Sequence, residues 1–274
     1  MSASIPRVAL RAKPPFRVPV VLRRAAVPVG LVLLWQAAAA YGLLNPQTMP
    51  APSVVATSFW QLMMSGQLWP NLFISLERVL VGLGIGVLVG TSMAVIAGLS
   101  RGGEDMIDPS VQMARTLPHL ALIPLVILWF GIGETPKLFI IALGATFPMY
   151  LNVFSAIRGA DRKLLEASSI LGLSHAETIW HVILPAALPG FLVGLRQALG
   201  IAWISLVVAE QINASAGIGY LIMNARDFLR TDIILDGLLV YAILGLATDQ
   251  IVRSLETHLL AWRPSMLASR GAAH

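Results

Sequence analysis

Three charged side chains lie within otherwise apolar stretches of this sequence: Arg196, Glu210 and Asp236. A charge held in hydrocarbon costs about 3 kcal/mol or more, so such residues face a protein interior, pair with one another, or line a solute or ion path. All three are candidates for a translocation path. The plainer account hydrates Glu210 and Asp236 at helix ends and lets Arg196 bond carbonyls or a neighbouring helix. Little else in the chain could do chemistry. His119, His175, His181, His258 and His274 show no metal-ligand spacing such as H-E-x-x-H. The absence of cysteine removes disulfides, cysteine metal sites and thiol catalysis, and fits a prokaryotic membrane location. There is no nucleophile elbow, no pair of carboxylates with a site around it, and no G-x-x-x-x-G-K-[ST] phosphate loop. The sequence thus points to no catalytic residue, metal or cofactor of its own. Nucleotide-driven work would need a nucleotide site on another subunit.

The elements that must position these charges follow from composition. Hydrophobic residues make up 57% of the 274, charged residues 12%, and the mean hydropathy is +0.77. Soluble domains run at about 45–50% apolar and about 25% charged, so this chain needs a bilayer as solvent. A spanning helix takes about 20 mostly apolar residues to cross about 30 Å of hydrocarbon. Residues 25–44 qualify with Gln36 as their one strongly polar member, and 79–100 and 138–157 carry no charge. Residues 117–133 are shorter, with Pro118 expected at the helix entry and Pro124 as a kink. Residues 186–209 contain Arg196, and 233–252 carry Asp236 and Asp249 near their ends. The prediction is an all-α membrane protein of six spans. Between the first two, 45–70 hold no Lys or Arg, and Pro46, Pro50 and Pro52 precede a short amphipathic stretch ending in Trp60 and Trp69, as an interfacial helix would. No internal repeat is visible.

The net charge of +5 and pI near 10.1 could signal nucleic acid, but the basic residues read as topology. With the N-terminus inside, Arg7, Arg11, Lys13, Arg17, Arg23, Arg24, Arg101, Arg115, Arg158, Arg162, Lys163, Arg253, Arg263 and Arg270 fall in the cytoplasm. Lys137, Arg226 and Arg230 fall outside. Short cytoplasmic loops retain positive charge, so both termini are expected inside and no nucleic-acid partner is expected. A cleaved signal peptide, or a twin-arginine signal at Arg23-Arg24, would also start basic. The apolar run here has full span length rather than the roughly 7–15 residues of a signal core, and five more spans follow.

Gly82, Gly86, Gly90, Ala94 and Gly98 recur every four residues and line one helical stripe on which another backbone can pack closely. The segment 158–185 is too structured for a linker. Asp161 suits an N-cap, 162–171 read as a helix with Leu164, Leu165, Ser168 and Leu171 on one face, and Gly172 sits where a left-handed C-cap belongs. Ser174 and Glu177 have capping-box spacing and open a second short helix toward Pro185. Held between two spans, such a helix can be pushed as a lever.

The run Glu166-Ala167-Ser168, then Gly172 after three residues, then Val182-Ile183-Leu184-Pro185 after nine more, resembles the EAA loop of ABC importer permeases of the binding-protein-dependent type. That pattern reads E-A-A, three residues, G, nine residues, I-x-L-P, with Ser168 and Val182 as departures. The runs 128–134 and 208–222 resemble the subfamily importing aliphatic sulfonates, taurine and nitrate. The resemblance covers roughly 71–264 and implies the type I importer permease fold, working by alternating access in a bacterial inner membrane. It implies that Glu166 makes a polar or helix-orienting contact in a groove of an ATPase subunit. Ala167 and Ser168 would permit close approach, Gly172 would make the turn, and Leu184 and Pro185 would end the second short helix and start the fifth span. It also implies two ATPase subunits carrying ATP and Mg, a second permease copy (a homodimer), and an extracytoplasmic binding protein that delivers a small, anionic solute. The expected divisions are a basic tail at 1–24, a first span and external segment at 25–70, a permease core at 71–254 with coupling loop 158–185, and a tail at 255–274. Two rivals remain: an ion-coupled secondary transporter relaying through Arg196, Glu210 and Asp236, and a membrane scaffold without solute.

Overall fold

The computed structural model describes residues 20–262, and among them every regular element is helical. Arg7, Arg11, Lys13, Arg17, Arg263 and Arg270, which carried part of the orientation argument, lie outside the described residues, as do the side chains of Arg23 and Arg24 and much of the two expected tails.

The chain divides into two compact units after Val54. In the first unit, α1 (Val20–Ala40) contains Pro28 and exposes Val27, Leu31 and Leu34, as a helix meeting lipid would. Past its end, Ser53, in the first turn of α2 (Pro52–Met64), donates its backbone N–H to the Gln36 side-chain carbonyl at 3.1 Å.

The second unit is built around α6. Helix α3 (Leu68–Leu99) runs 32 residues, about 48 Å at 1.5 Å per residue, and begins eleven positions before the expected start at 79. Charge at Glu77 and Arg78 cut the apolar run short in the sequence, yet Arg78 is buried and paired, so the helix continues through it. Trp69, expected to close the interfacial stretch, belongs to the first turn of α3 instead. The expected third span, 117–133, is only the second half of a bent pair. Helix α4 (Arg101–Ala114), which the sequence did not suggest, is followed by a 3₁₀ turn (His119–Leu122) and α5 (Ile123–Phe130), and the two halves meet at 81°. Pro118 precedes the turn, while Pro124 occupies the first turn of α5, where no backbone donor is needed, and so opens a helix rather than kinking one.

Helix α6 (Glu134–Arg158) leads to α7 (Arg162–Ile170). After α7 the short α8 (His175–Thr178) passes through a π turn (Ile179–Ile183) directly into α9 (Leu184–Asn213). The expected break at Pro185 is therefore absent. Proline there lacks the N–H and would clash with the carbonyl four residues back in an α-helix, and the wider π turn just before it accommodates both. Helices α10 (Ile218–Asp227) and α11 (Thr231–Leu259) complete the unit. Among the described residues four helices are long and apolar enough to cross a bilayer, a fifth if the bent pair counts as one, and α1 adds the shorter apolar stretch Ala25–Ala40, so the expected count of six is not matched one for one there.

Hydrocarbon offers little hydrophobic drive for helices to associate, so the bundle depends on close fit. The stripe on α3 supplies it. A Cβ added to Gly86 would lie 2.6 Å from the Ala142 carbonyl oxygen, and one at Gly90 2.5 Å from that of Thr146, so the α3 backbone rides directly on α6. The other side of α6 meets α9, with Val79, Ala94, Ile141, Met149, Tyr150 and Leu206 enclosed in the core they share.

Candidate functional site

Two polar constructions lie at opposite ends of α6. At its Arg158 end is the segment 158–185. Asp161 caps α7 by accepting from Lys163 N at 2.9 Å. The helix ends in a paired turn: Leu173 N bonds Ser168 O at 3.1 Å and Gly172 N bonds Ser169 O at 3.1 Å, with Gly172 at φ +77°. Ser174 and Glu177 then form a reciprocal capping box, with Glu177 N on Ser174 Oγ at 3.3 Å and Ser174 N on Glu177 Oε2 at 2.8 Å. Ser168 is buried, and the Thr178 hydroxyl contacts its Oγ at 3.4 Å, tying α7 to the following helix. Glu166 and Ala167 are exposed, as are Ile170, Leu171 and Trp180. Leu184 is half-buried and Pro185 exposed. The result is a two-helix unit whose surface mixes the carboxylates of Asp161, Glu166 and Glu177 with bare apolar side chains. Near its base, Glu104 of α4 pairs with Arg158.

At the Glu134 end of α6 is an ionic cluster drawn from five elements. Arg78 of α3 is almost fully buried and divides its donors between two carboxylates. Nη1 reaches Glu210 Oε1 at 2.6 Å and the Ala216 carbonyl at 2.6 Å, while Nε and Nη2 grip Glu134 at 2.6 and 2.7 Å. Lys137, also buried, donates to Glu134 Oε1 at 2.9 Å. Glu210 further accepts from Ser75 Oγ at 2.8 Å, from Tyr241 Oη at 3.0 Å and from Gly219 N at 2.8 Å. Gly217, at φ +117°, lets the chain turn so tightly over this cluster that a Cβ there would strike the Glu210 carboxylate. Only with such complete partnering is a buried charge pair tolerable.

Of the three charges singled out in the sequence, Glu210 is thus enclosed rather than hydrated. Asp236 is also enclosed, accepting from Ser58 Oγ at 2.5 Å. Arg196 bonds Glu256 at 2.6 Å and lies 3.3 Å from Asp249, joining α9 to α11 beside a cavity of about 270 Å³. The structure does not bring the three together. It assembles instead Arg78, Glu134 and Lys137, which the sequence reading passed over. For Arg78 alone the glycine stripe held a signal: counting back from Gly82 by four and then three reaches Arg78 and Ser75 on the same face.

The backbone resembles solved importer permeases. It matches a chain of an amino acid ABC transporter with TM-score 0.60 and 18% identity, over 74% of this chain and 96% of that one. It matches the methionine transporter MetNI in an inward-facing form with TM-score 0.53 and 20% identity, over 66% and 92%. These likenesses establish the fold as that of an ABC importer permease. In sequence, the chain is 48% identical over 239 residues to SsuC of Escherichia coli (strain K12), named for aliphatic sulfonates transport, covering 87% of this chain and 91% of that protein. It is 35% identical over 237 residues to the taurine transport permease TauC of the same organism, covering 85% and 86%. Residues 86–260 match the family of binding-protein-dependent transport system inner membrane components, and the chain belongs to that family.

Proposed function

We propose that the chain is the conducting subunit of an ATP-driven importer for a small anionic solute of the aliphatic sulfonate or taurine type. The observation that carries this reading is the 48% identity to a permease named for aliphatic sulfonates, extending over 87% of the chain. In this reading the segment 158–185 faces the cytoplasm, as do both termini. Glu166, Ala167, Ser168 and Gly172 present α7 to a separate ATPase subunit that holds ATP and Mg, and Leu184 and Pro185 pass its movement into α9. A second copy of the permease and an extracytoplasmic binding protein complete the transporter. The stripe Gly82, Gly86, Gly90, Ala94 and Gly98 keeps α3 and α6 moving as one body. Arg196, beside a cavity, remains a path candidate, while Glu210 and Asp236 act by holding helices together.

The test is reconstitution of the chain with its ATPase subunit and binding protein in proteoliposomes. Uptake of a short alkanesulfonate should require ATP inside the proteoliposomes and survive a protonophore. Uptake that collapses with the proton gradient and ignores ATP would establish the secondary-transporter alternative instead.

A further inference from the structure

The two carboxylates on Arg78 are not equivalent. Glu210 has a side-chain exposure of 0% and its oxygens are filled by four donors from three other helices, so it is fixed structure. Glu134 grips the other edge of the same guanidinium with 55% of its side chain exposed, on the wall of a half-open cavity of about 400 Å³. Lys137 is 4% exposed, and Glu134 is the sole acceptor of its ammonium among the described residues. Three donors from two buried cations therefore converge on one carboxylate that has open space beside it. A sulfonate or carboxylate on a small solute offers the same acceptor geometry, and bidentate arginine contacts suit it.

We propose that Arg78 and Lys137 form an anion site which Glu134 occupies in this state as a built-in counter-ion, and that the acidic head of the transported solute takes its place when Glu134 turns into the cavity. The proposal rests on the anionic-solute part of the function proposed above. The charge balance supports it. Arg78 and Lys137 against Glu210 and Glu134 is neutral, so turning Glu134 away leaves one uncompensated positive charge, which one monovalent anion restores. Glu77, an exposed carboxylate on the cavity wall, opposes the anion and keeps it releasable, since conduction needs binding weak enough to leave.

The chain would be purified with its ATPase subunits in lipid nanodiscs, without binding protein, and titrated with radiolabelled ethanesulfonate. Glu134→Gln should bind roughly tenfold more tightly than the unaltered chain, because the competing carboxylate is gone. Adding Lys137→Gln should erase the gain. Equal binding by Glu134→Gln and the unaltered chain would overturn the site. Since the chain has no cysteine, Glu134→Cys provides a second readout that needs no free solute. Sulfonatoethyl methanethiosulfonate attaches a sulfonate at that position, and its trimethylammonium analogue attaches a cation. The sulfonate adduct should restore thermal stability lost in Glu134→Cys, and the cationic adduct should lower it further; two adducts of equal stability would also overturn the proposal. Tight ethanesulfonate binding by Glu134→Gln in a transporter that imports no sulfonate would uphold the anion site and remove the sulfonate part of the proposed function.

Discussion

Gly172 holds φ at +77° with nothing within 4 Å of where a Cβ would sit, so the demand there is purely one of backbone conformation. Non-glycine residues pay about 1–2 kcal/mol for the left-handed region, and β-branched ones more. Gly172→Val should therefore abolish solute uptake while membrane insertion and yield survive, and Gly172→Ala should retain part of it; proteoliposome uptake normalised to inserted protein checks both. Normal uptake by the valine variant would remove α7 from the coupling proposal. At the other end of α6 the constraint is electrostatic. Arg78→Met would strand the enclosed carboxylate of Glu210, and breaking a buried pair costs about 3–5 kcal/mol, so the melting temperature in detergent should fall by roughly 10 °C. Glu210→Gln keeps most acceptors without the charge and should fall less.

Between elements, the tightest fit is α3 on α6, and it separates glycines that matter from glycines that do not. Gly90→Val should cost most of the folded yield, since its side chain would meet the Thr146 carbonyl and Met149. Gly84, on the same helix with open space around it, should accept valine with little change in size-exclusion profile. Indistinguishable profiles for the two variants would contradict the close approach. The stripe was readable from spacing alone because small residues at four-residue intervals leave no other use for that face. Asp161, Gly172, Ser174 and Glu177 were readable for a similar reason: capping chemistry is local, and each residue contacts backbone within three positions of itself. What could not be read was long-range. Arg78 and Glu134 are 56 positions apart and Arg78 and Glu210 132 apart, so a rule that excludes charge from spans discards the very residues that burial makes neutral as a group. The bent α4–α5 pair escaped for a related reason, its first half being too polar to count as membrane-embedded without the α6 partner that Tyr150 supplies through Asp108 at 3.0 Å.

At the scale of the whole second unit, the helices that flank the segment 158–185 are the same two that deliver the carboxylates to Arg78. Glu134 starts α6 and Arg158 ends it, while α9 continues from the π turn to Glu210 and beyond. In the proposed coupling role, a displacement of α7 would reach the ionic cluster through α6 and α9. Labelling of Glu134→Cys by a soluble thiol reagent should therefore change when ATP binds, and that change should vanish in the Gly172→Val background; identical labelling in both backgrounds would separate the two ends. The π turn at Ile179–Ile183 bears on how those helices are aimed. Such a turn is an α-helix carrying one surplus residue, and each residue accounts for about 100° of rotation. Deleting His181, the one polar residue of the turn, would swing Glu166 by more than a quarter of a circle about the axis of α9 while leaving every cap and every hydrophobic residue intact. If α7 docks an ATPase subunit as proposed, the azimuth of that surface, and so the orientation in which the subunit must approach it, is set by the phase of a single inserted residue.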